Sequence, residues 1–299
     1  MDRDDVVTDT ETSKDTTNDY PERSAVSASV YTFDQLADIY NQARVDYIVP
    51  MPMNGKRMKE YVVNYDVSLE ASVVTLNDEH LETGVGMLGL REDRGWITRL
   101  GVLPHRRKGH LGQFMMDSML NSAKDNGASL VQLEVIAGNE PAHKLFLKCG
   151  FEETRELLVI RRPPGMPEAI PEFDELEPQD IPEDEIPTYL ERREPGASWV
   201  EETASLLNAG SLQGVRLDMP NGDTGWVVFQ KTAFQMMHFV LSANMQIETA
   251  TALLYHVHKQ NAMQDSKKEN LPVDHPMLSA FEAVGYFEAF RRVEMFLYF

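Results

Sequence analysis

The stretch that most constrains the fold is Arg99 to Gly112, Arg-Leu-Gly-Val-Leu-Pro-His-Arg-Arg-Lys-Gly-His-Leu-Gly. The apolar run from Trp96 to Leu103 has the make-up of a buried strand, and Pro104 stops it. A short basic turn follows, and then Phe114, Met115, Leu120 and Ala123 recur at helical spacing. Strand, tight turn and helix together aim several unpaired first-turn N–H groups, and the positive end of a helix dipole, at one place. That place suits a phosphate. Arg106, Arg107 and Lys108 add positive charge, and Gly109 and Gly112 let a ligand approach the backbone closely.

A second apolar run, Leu130 to Ile136, precedes Asn139-Glu-Pro-Ala142-His-Lys-Leu145-Phe146-Leu-Lys-Cys-Gly150-Phe151. In order and spacing, the strand end Val102-Leu-Pro104, the turn Arg107 to Gly112 and this ending resemble the GNAT acetyltransferase superfamily, over residues 26 to 162. The ending recurs later. Asp274-His-Pro276, Ala280-Phe281 and Gly285-Tyr286 fall at the same offsets as Asn139-Glu-Pro141, Leu145-Phe146 and Gly150-Phe151, as in a tandem duplication. The expected fold class is therefore α/β. Two tandem GNAT-like domains are expected, each a mixed, mostly antiparallel sheet with a splayed parallel pair flanked by helices. The expected ranges are a disordered acidic tail over 1–25, a GNAT domain with the acetyl-CoA site over 26–162, a Pro- and acid-rich linker over 163–180, and a degenerate GNAT-like domain over 181–299.

The resemblance implies acetyl-CoA as cosubstrate, its pantetheine arm lying where the central strand parts from the strand at 130–136. Leu100, Gly101 and Val102 would offer backbone groups to the arm. The amides of Arg107, Lys108, Gly109, His110, Leu111 and Gly112 would hold the pyrophosphate. Asn139 and Phe146 would line the far side. The implied reaction is direct attack of an amine on the thioester. The sequence departs from the family pattern at three places. His110 stands at the turn's first glycine position, with Gly109 one residue early. Phe146 stands where a tyrosine commonly serves as general acid. Trp96 or Ile97 occupies the region where many members carry a basic glutamate. Glu134, His110 and His143 remain as candidate bases, each with an ordinary alternative role in a strand, a turn or a solvated helix face. Cys149 has the character of a small buried thiol, and no Cys–His dyad signature accompanies it. No residues are assigned to a metal.

The 107–112 turn maps by offset onto Ser242 to Ile247, which holds no glycine and no cation. The second unit is thus expected to have lost the phosphate turn and to wall the substrate side of the first, or to form a dimer contact. Each unit ends in one strand where related folds often have two, so exchange of strands between units or between chains is expected.

Composition excludes other classes. The formal charge of −20 would repel nucleic acid, and no basic face exists beyond 106–108. No run of 18 apolar residues suggests a membrane span. The polar, acidic start and the lone Cys149 fit a cytoplasmic protein. Two segments, 1–25 and 168–194, carry most of the negative charge as solvated tail and linker, with attraction of a cationic substrate as the other reading. Function is thus expected to be acetyl-CoA-dependent N-acetylation of a small molecule or peptide amine, by a monomer or homodimer. The alternative is a non-catalytic CoA-binding regulator or scaffold.

Overall fold

A computed structural model describes residues 24–107 and 110–299. The expected tail over 1–25 lies outside the described residues, except Ser24 and Ala25, which open the first strand. Lys108 and Gly109 lie outside them as well.

The first half runs β1 (Ser24–Ser27), α1 (Phe33–Ala43), α2 (Gly55–Asn64), β2 (Val67–Leu76), β3 (Glu82–Arg91), β4 (Arg94–Val102), α3 (Leu111–Asp125), β5 (Leu130–Ile136), α4 (Glu140–Lys148) and β6 (Glu152–Arg162). Thr32 and Gln35 close a capping box at the start of α1: the Gln35 amide donates to the Thr32 hydroxyl oxygen at 3.2 Å, and the Thr32 amide to the Gln35 side chain at 2.9 Å. Asn54 caps α2 and Asn139 caps α4. Helix α3 buries Leu111, Met115, Met119 and Ala123 on one row, with Met116 and Leu120 beside it, against the sheet.

The second half runs α5 (Pro171–Asp174), β7 (Gln179–Ile181), α6 (Ile186–Leu190), α7 (Thr203–Ala209), β8 (Leu212–Asp218), β9 (Thr224–Lys231), β10 (Gln235–Leu241), α8 (Ile247–Gln260), β11 (Asp265–Pro272), α9 (Leu278–Ala283) and β12 (Phe287–Tyr298).

The twelve strands of the described residues form one sheet in the order β1-β2-β3-β4-β5-β12-β6-β11-β10-β9-β8-β7. The order has a mirror centre between β12 and β6. The two halves exchange their last strands: β12 pairs antiparallel with β5 from Arg292↔Ile136 to Tyr298↔Leu130, and β6 pairs antiparallel with β11. β6 and β12 also pair with each other. The exchange expected between units or chains thus occurs between units of one chain. The sheet runs unbroken across the boundary expected between 26–162 and 181–299. Among the described residues, only β4·β5 and β10·β11 are parallel.

Read locally, the sequence predicts short strands at Ser29 to Thr32, Ile170 to Leu176 and Leu271 to Val273, and the structure differs at each. The strand expected at Ser29 to Thr32 is a 3-10 turn over Ala28–Val30, tightened by the Ser29 amide donating to Ser27 Oγ, and the strand lies earlier, as β1. The strand expected at Ile170 to Leu176 is the short helix α5, which opens on Pro171 with its φ already set for a helix. The strand expected at Leu271 to Val273 starts at Asp265; its first residues are polar because they pair charges at a cavity described below. Trp199 and Val200, though they follow the proline-rich stretch, complete the core of the first half. The Trp199 ring stacks on Trp96 at 5.8 Å and its Nε1 donates to the Tyr65 carbonyl at 2.8 Å.

Candidate active site

The parallel ladder between β4 and β5 holds three residue pairs, Arg94↔Leu130, Gly95↔Val131 and Trp96↔Gln132. Beyond Trp96 the two strands part. A bulge in β4 accompanies the parting: Val85 faces Gly101 while Met87 faces Thr98, and Arg99 takes φ 54°. An L-residue in this left-handed region costs about 1 kcal/mol or more, and the surrounding packing holds it there.

A cavity of about 310 Å³ opens at the parting. One wall is β4 from Trp96 to Leu100, and the other is β5 from Leu133 to Ile136, with Asn139 and Phe146 of α4. Tyr47 and Met51 come from the α1–α2 connection, and Tyr61 and Tyr65 from α2. The last side belongs to the second half, which contributes Glu201, His238, Lys267, Glu269 and Arg292.

Glu134 sits in this wall. Trp96 Nε1 donates to its carboxylate at 2.8 Å, and Asn270 lies at 3.5 Å. Burial pushes its carboxyl up to about 7, helped by Glu294 and Glu269; the Trp96 hydrogen bond and Arg292 act against this. A buried carboxylate thus stands on β5, and Trp96, in the region of the central strand where a glutamate was sought, is its hydrogen-bond donor.

The other carboxylates here are held ionised. Burial alone would raise Glu201, but Lys268 and His238 override it and hold it below the usual range. His238 Nδ1 lies 3.1 Å from Glu201 Oε1, and Lys268 Nζ donates to Oε2. Glu269, likewise opposed by burial, is held well below the ordinary range by Lys267 and Arg292, the latter donating at 2.7 Å.

Of the residues singled out from the sequence, Glu134, Leu100, Asn139 and Phe146 line the cavity. Gly101 lies in the β3 ladder, where a Cβ would stand 2.9 Å from Ala43 Cβ. The Val102 carbonyl accepts from Arg107 Nε at 3.1 Å. The rest of the Arg107 guanidinium is committed to Asp46, twice at 2.7 Å, and to the Ala43 carbonyl. It braces the turn and adds no free charge to it. His110 takes φ 57° just before α3, the conformation that a glycine adopts freely, and its side chain caps nothing. Leu111 is core, and Gly112 packs against Leu145, whose Cδ2 would lie 3.0 Å from a Cβ there. The N-terminus of α3 has no side-chain cap, and its first internal bond is Phe114 N–H to the His110 carbonyl at 3.0 Å. His143 lies outside the cavity with Nε2 2.8 Å from Glu153. Cys149 accepts from Gln113 at 3.3 Å, and burial raises its thiol pKa. Sequence reasoning missed Arg44, Arg99, Tyr61 and every residue from the second half. The only signal for them was a polar run, Asp265 to Asn270, where apolar strand residues were sought.

The second unit repeats the geometry with different chemistry. β10 and β11 pair in parallel over three residues and then part, with His238 at φ 55° in the position corresponding to Arg99. A cavity of about 560 Å³ follows, rich in apolar side chains such as Phe239, Leu241, Met277 and Phe281. At the start of α8 the Asp223 carboxylate accepts from the Gln246 amide at 2.9 Å and from the Thr249 hydroxyl. An internal carboxylate occupies the helix end whose counterpart in α3 is open.

Residues 37–151 match the model of the Acetyltransferase (GNAT) family. Similar solved structures cover nearly the whole chain. A GCN5-related N-acetyltransferase from Sphaerobacter thermophilus is 15% identical, with 92% of this chain and 95% of that one covered at TM-score 0.69. A tandem GNAT protein from the clavulanic acid biosynthesis pathway is 14% identical, with 93% and 98% covered at TM-score 0.61. A putative acetyltransferase from Pyrococcus horikoshii is 12% identical, with 94% and 90% covered at TM-score 0.63. No curated protein sequence matches significantly. Among the described residues no helix is long and apolar enough to cross a membrane. The parted strands, the uncapped helix behind the turn and the likeness to these structures together identify a chain with the tandem GNAT fold, whose residues 37–151 match the GNAT family model.

Proposed function

We propose that the chain is an acetyl-CoA-dependent N-acetyltransferase acting on the amino group of a small molecule or peptide. One observation carries the reading: β4 leaves β5 after Trp96↔Gln132, and Glu134 stands at the parting with its carboxyl near 7. The residues present fit the cosubstrate. The β4 edge at Leu100, Gly101 and Val102 has no strand partner toward β5, so an extended amide-bearing arm can pair with it as a strand would. The amides of Leu111 and Gly112, at a helix start with no side-chain cap and with His110 before it, suit a diphosphate. Asn139 and Phe146 form the far wall. Bound there, acetyl-CoA supplies an activated acetyl thioester.

The chain's own residues do the rest. Glu134, ionised above about pH 7, accepts the proton of the acceptor's ammonium group. Free amides on β4 are placed to hold negative charge on the acyl oxygen. Phe146 has no proton to give, so the departing thiolate takes its proton from solvent. The second unit closes the acceptor side with Glu201, His238 and Glu269. A homodimer is not needed, because one chain supplies all these residues.

Calorimetric titration with acetyl-CoA, and thiol release across a panel of amines, test the reading. Binding followed by amine-dependent release is expected. Binding without release favours the CoA-binding regulator that Phe146 also allows. No binding by correctly folded protein overturns both.

A further inference from the structure

Every carboxylate lining the first cavity has a partner: Glu134 takes Trp96, Glu201 takes Lys268 and His238, and Glu269 takes Lys267 and Arg292. Two cations lining the same cavity have no such partner. Among the described residues, neither Arg44 nor Arg99 has a carboxylate within ion-pairing distance, and the Nε of each is buried without a hydrogen-bond partner. They are held by aromatic rings instead. Arg99 Nη1 donates to the Tyr40 hydroxyl at 2.8 Å, and its guanidinium carbon lies 4.1 Å from the Tyr61 ring centre. The Arg44 guanidinium lies 3.3 Å from the Tyr47 ring centre, and both guanidiniums sit 5.2 Å from the Tyr40 ring.

Rings and a hydroxyl position a guanidinium without pairing it, and Glu269 acts on Arg99 only through space, with no direct ion pair. Enclosing a cation with no carboxylate in contact is costly, and the cost is recovered when an anion arrives. The planar fork of arginine suits a carboxylate or a phosphate. The strained backbone at Arg99 belongs to the bulge at the parting itself. The chain as a whole carries −20, so this pocket of excess positive charge runs against its surroundings.

We infer that the acceptor is a small amine that also carries an anionic group, carboxylate or phosphate, seated on Arg99 with Arg44 beside it. The inference rests on the acetyltransferase reading above and names the substrate class of that same site. The amine then faces Glu134 while the anion faces Arg99. A polyamine or other purely cationic acceptor is disfavoured, against the hint that the chain's acidity gives.

The test uses matched pairs: amino acids against their decarboxylated amines, and glucosamine 6-phosphate against glucosamine. Thiol release gives kcat/KM, and calorimetry gives binding independently of turnover. The anionic member of at least one pair is expected to win by tenfold or more. The carboxylate and phosphate pairs distinguish the two sources of the anion. The R99Q substitution is expected to collapse that preference by at least tenfold through KM, with R99K recovering part of it and R44Q giving a smaller loss. Thermal melting checks that each variant folds. Equal or better use of the neutral amines overturns the inference while leaving the acetyltransferase standing. So does a loss of acetyl-CoA affinity in R99Q with the preference intact, because the cation then serves the cosubstrate. Absence of binding for every anionic amine also overturns it. Failure to bind acetyl-CoA at all removes the function beneath it.

Discussion

At the scale of single residues, Glu134 carries the most consequence. Its carboxyl is pushed up to about 7 by burial, with Glu294 and Glu269 adding to the effect. If it is the base, kcat/KM rises with pH through about 7 and then levels, and E134Q flattens that limb and lowers the rate by about 10²–10⁴-fold. A pH–rate profile of both proteins checks this. The same shift has a stability counterpart. The unfolded carboxyl titrates near 4.3, so between about 4.3 and 7 the native state holds a proton that the unfolded state has lost. Stability therefore falls as pH rises through that window. E134Q escapes the penalty, and is expected to be more stable than the parent at pH 8 by about 1–3 kcal/mol, the gap closing below about pH 4. Urea titrations at the two pH values read it. Trp199 makes a different argument at this scale. Fully buried between Trp96 and the Arg91 guanidinium at 4.3 Å, it plugs the first core from the second half. W199A is expected to cost about 3–5 kcal/mol, measured by denaturant unfolding.

At the scale of elements, the strand–turn–helix at 94–125 and the strand–helix at 130–148 were legible, because their periodicity is local and their caps are chemical. Thr32, Asn54 and Asn139 each cap the helix that follows, and Gly127 at φ 82° ends α3. Position 110 shows the limit of motif spacing. A histidine stands where the pattern wants glycine, yet the backbone takes the glycine conformation, since a left-handed histidine is tolerated. The start of β11 was illegible for a physical reason. Lys267 pairs along the strand with Glu269, but Lys268, Glu269 and Asn270 also take partners from Glu201, β12 and the Glu134 wall. Nothing local announces a strand whose polar side chains are satisfied by distant ones. Every second-half residue of the cavity was missed for the same reason. Asp223 adds an element-scale expectation: D223A opens the N-terminus of α8. A phosphate titration of D223A followed by thermal shift is expected to show stabilisation that the parent lacks.

At the scale of the molecule, the exchange of β6 and β12 turns two repeats into one sheet. β12 is bonded along both edges, to β5 and to β6, so neither half closes its sheet alone. Unfolding is expected as a single transition reported alike by Trp96 and Trp226, which lie in different cores. A calorimetric and fluorescence melt on the same sample checks the coincidence. A fragment ending at Arg162 is expected to be insoluble alone and to be rescued by co-expression with the remainder, since it exposes the long β5 edge.

The late arrival of β12 also sets a timetable for the newborn chain. When β5 leaves the ribosome, the strand that will cover its edge has yet to be translated. At ordinary elongation rates that strand is on the order of 10–30 s away. For that interval the first half lacks the strand that covers the far edge of β5 in the finished sheet. Slowing translation of the second half is therefore expected to lower the soluble yield of the whole chain, read by comparing soluble and pelleted protein.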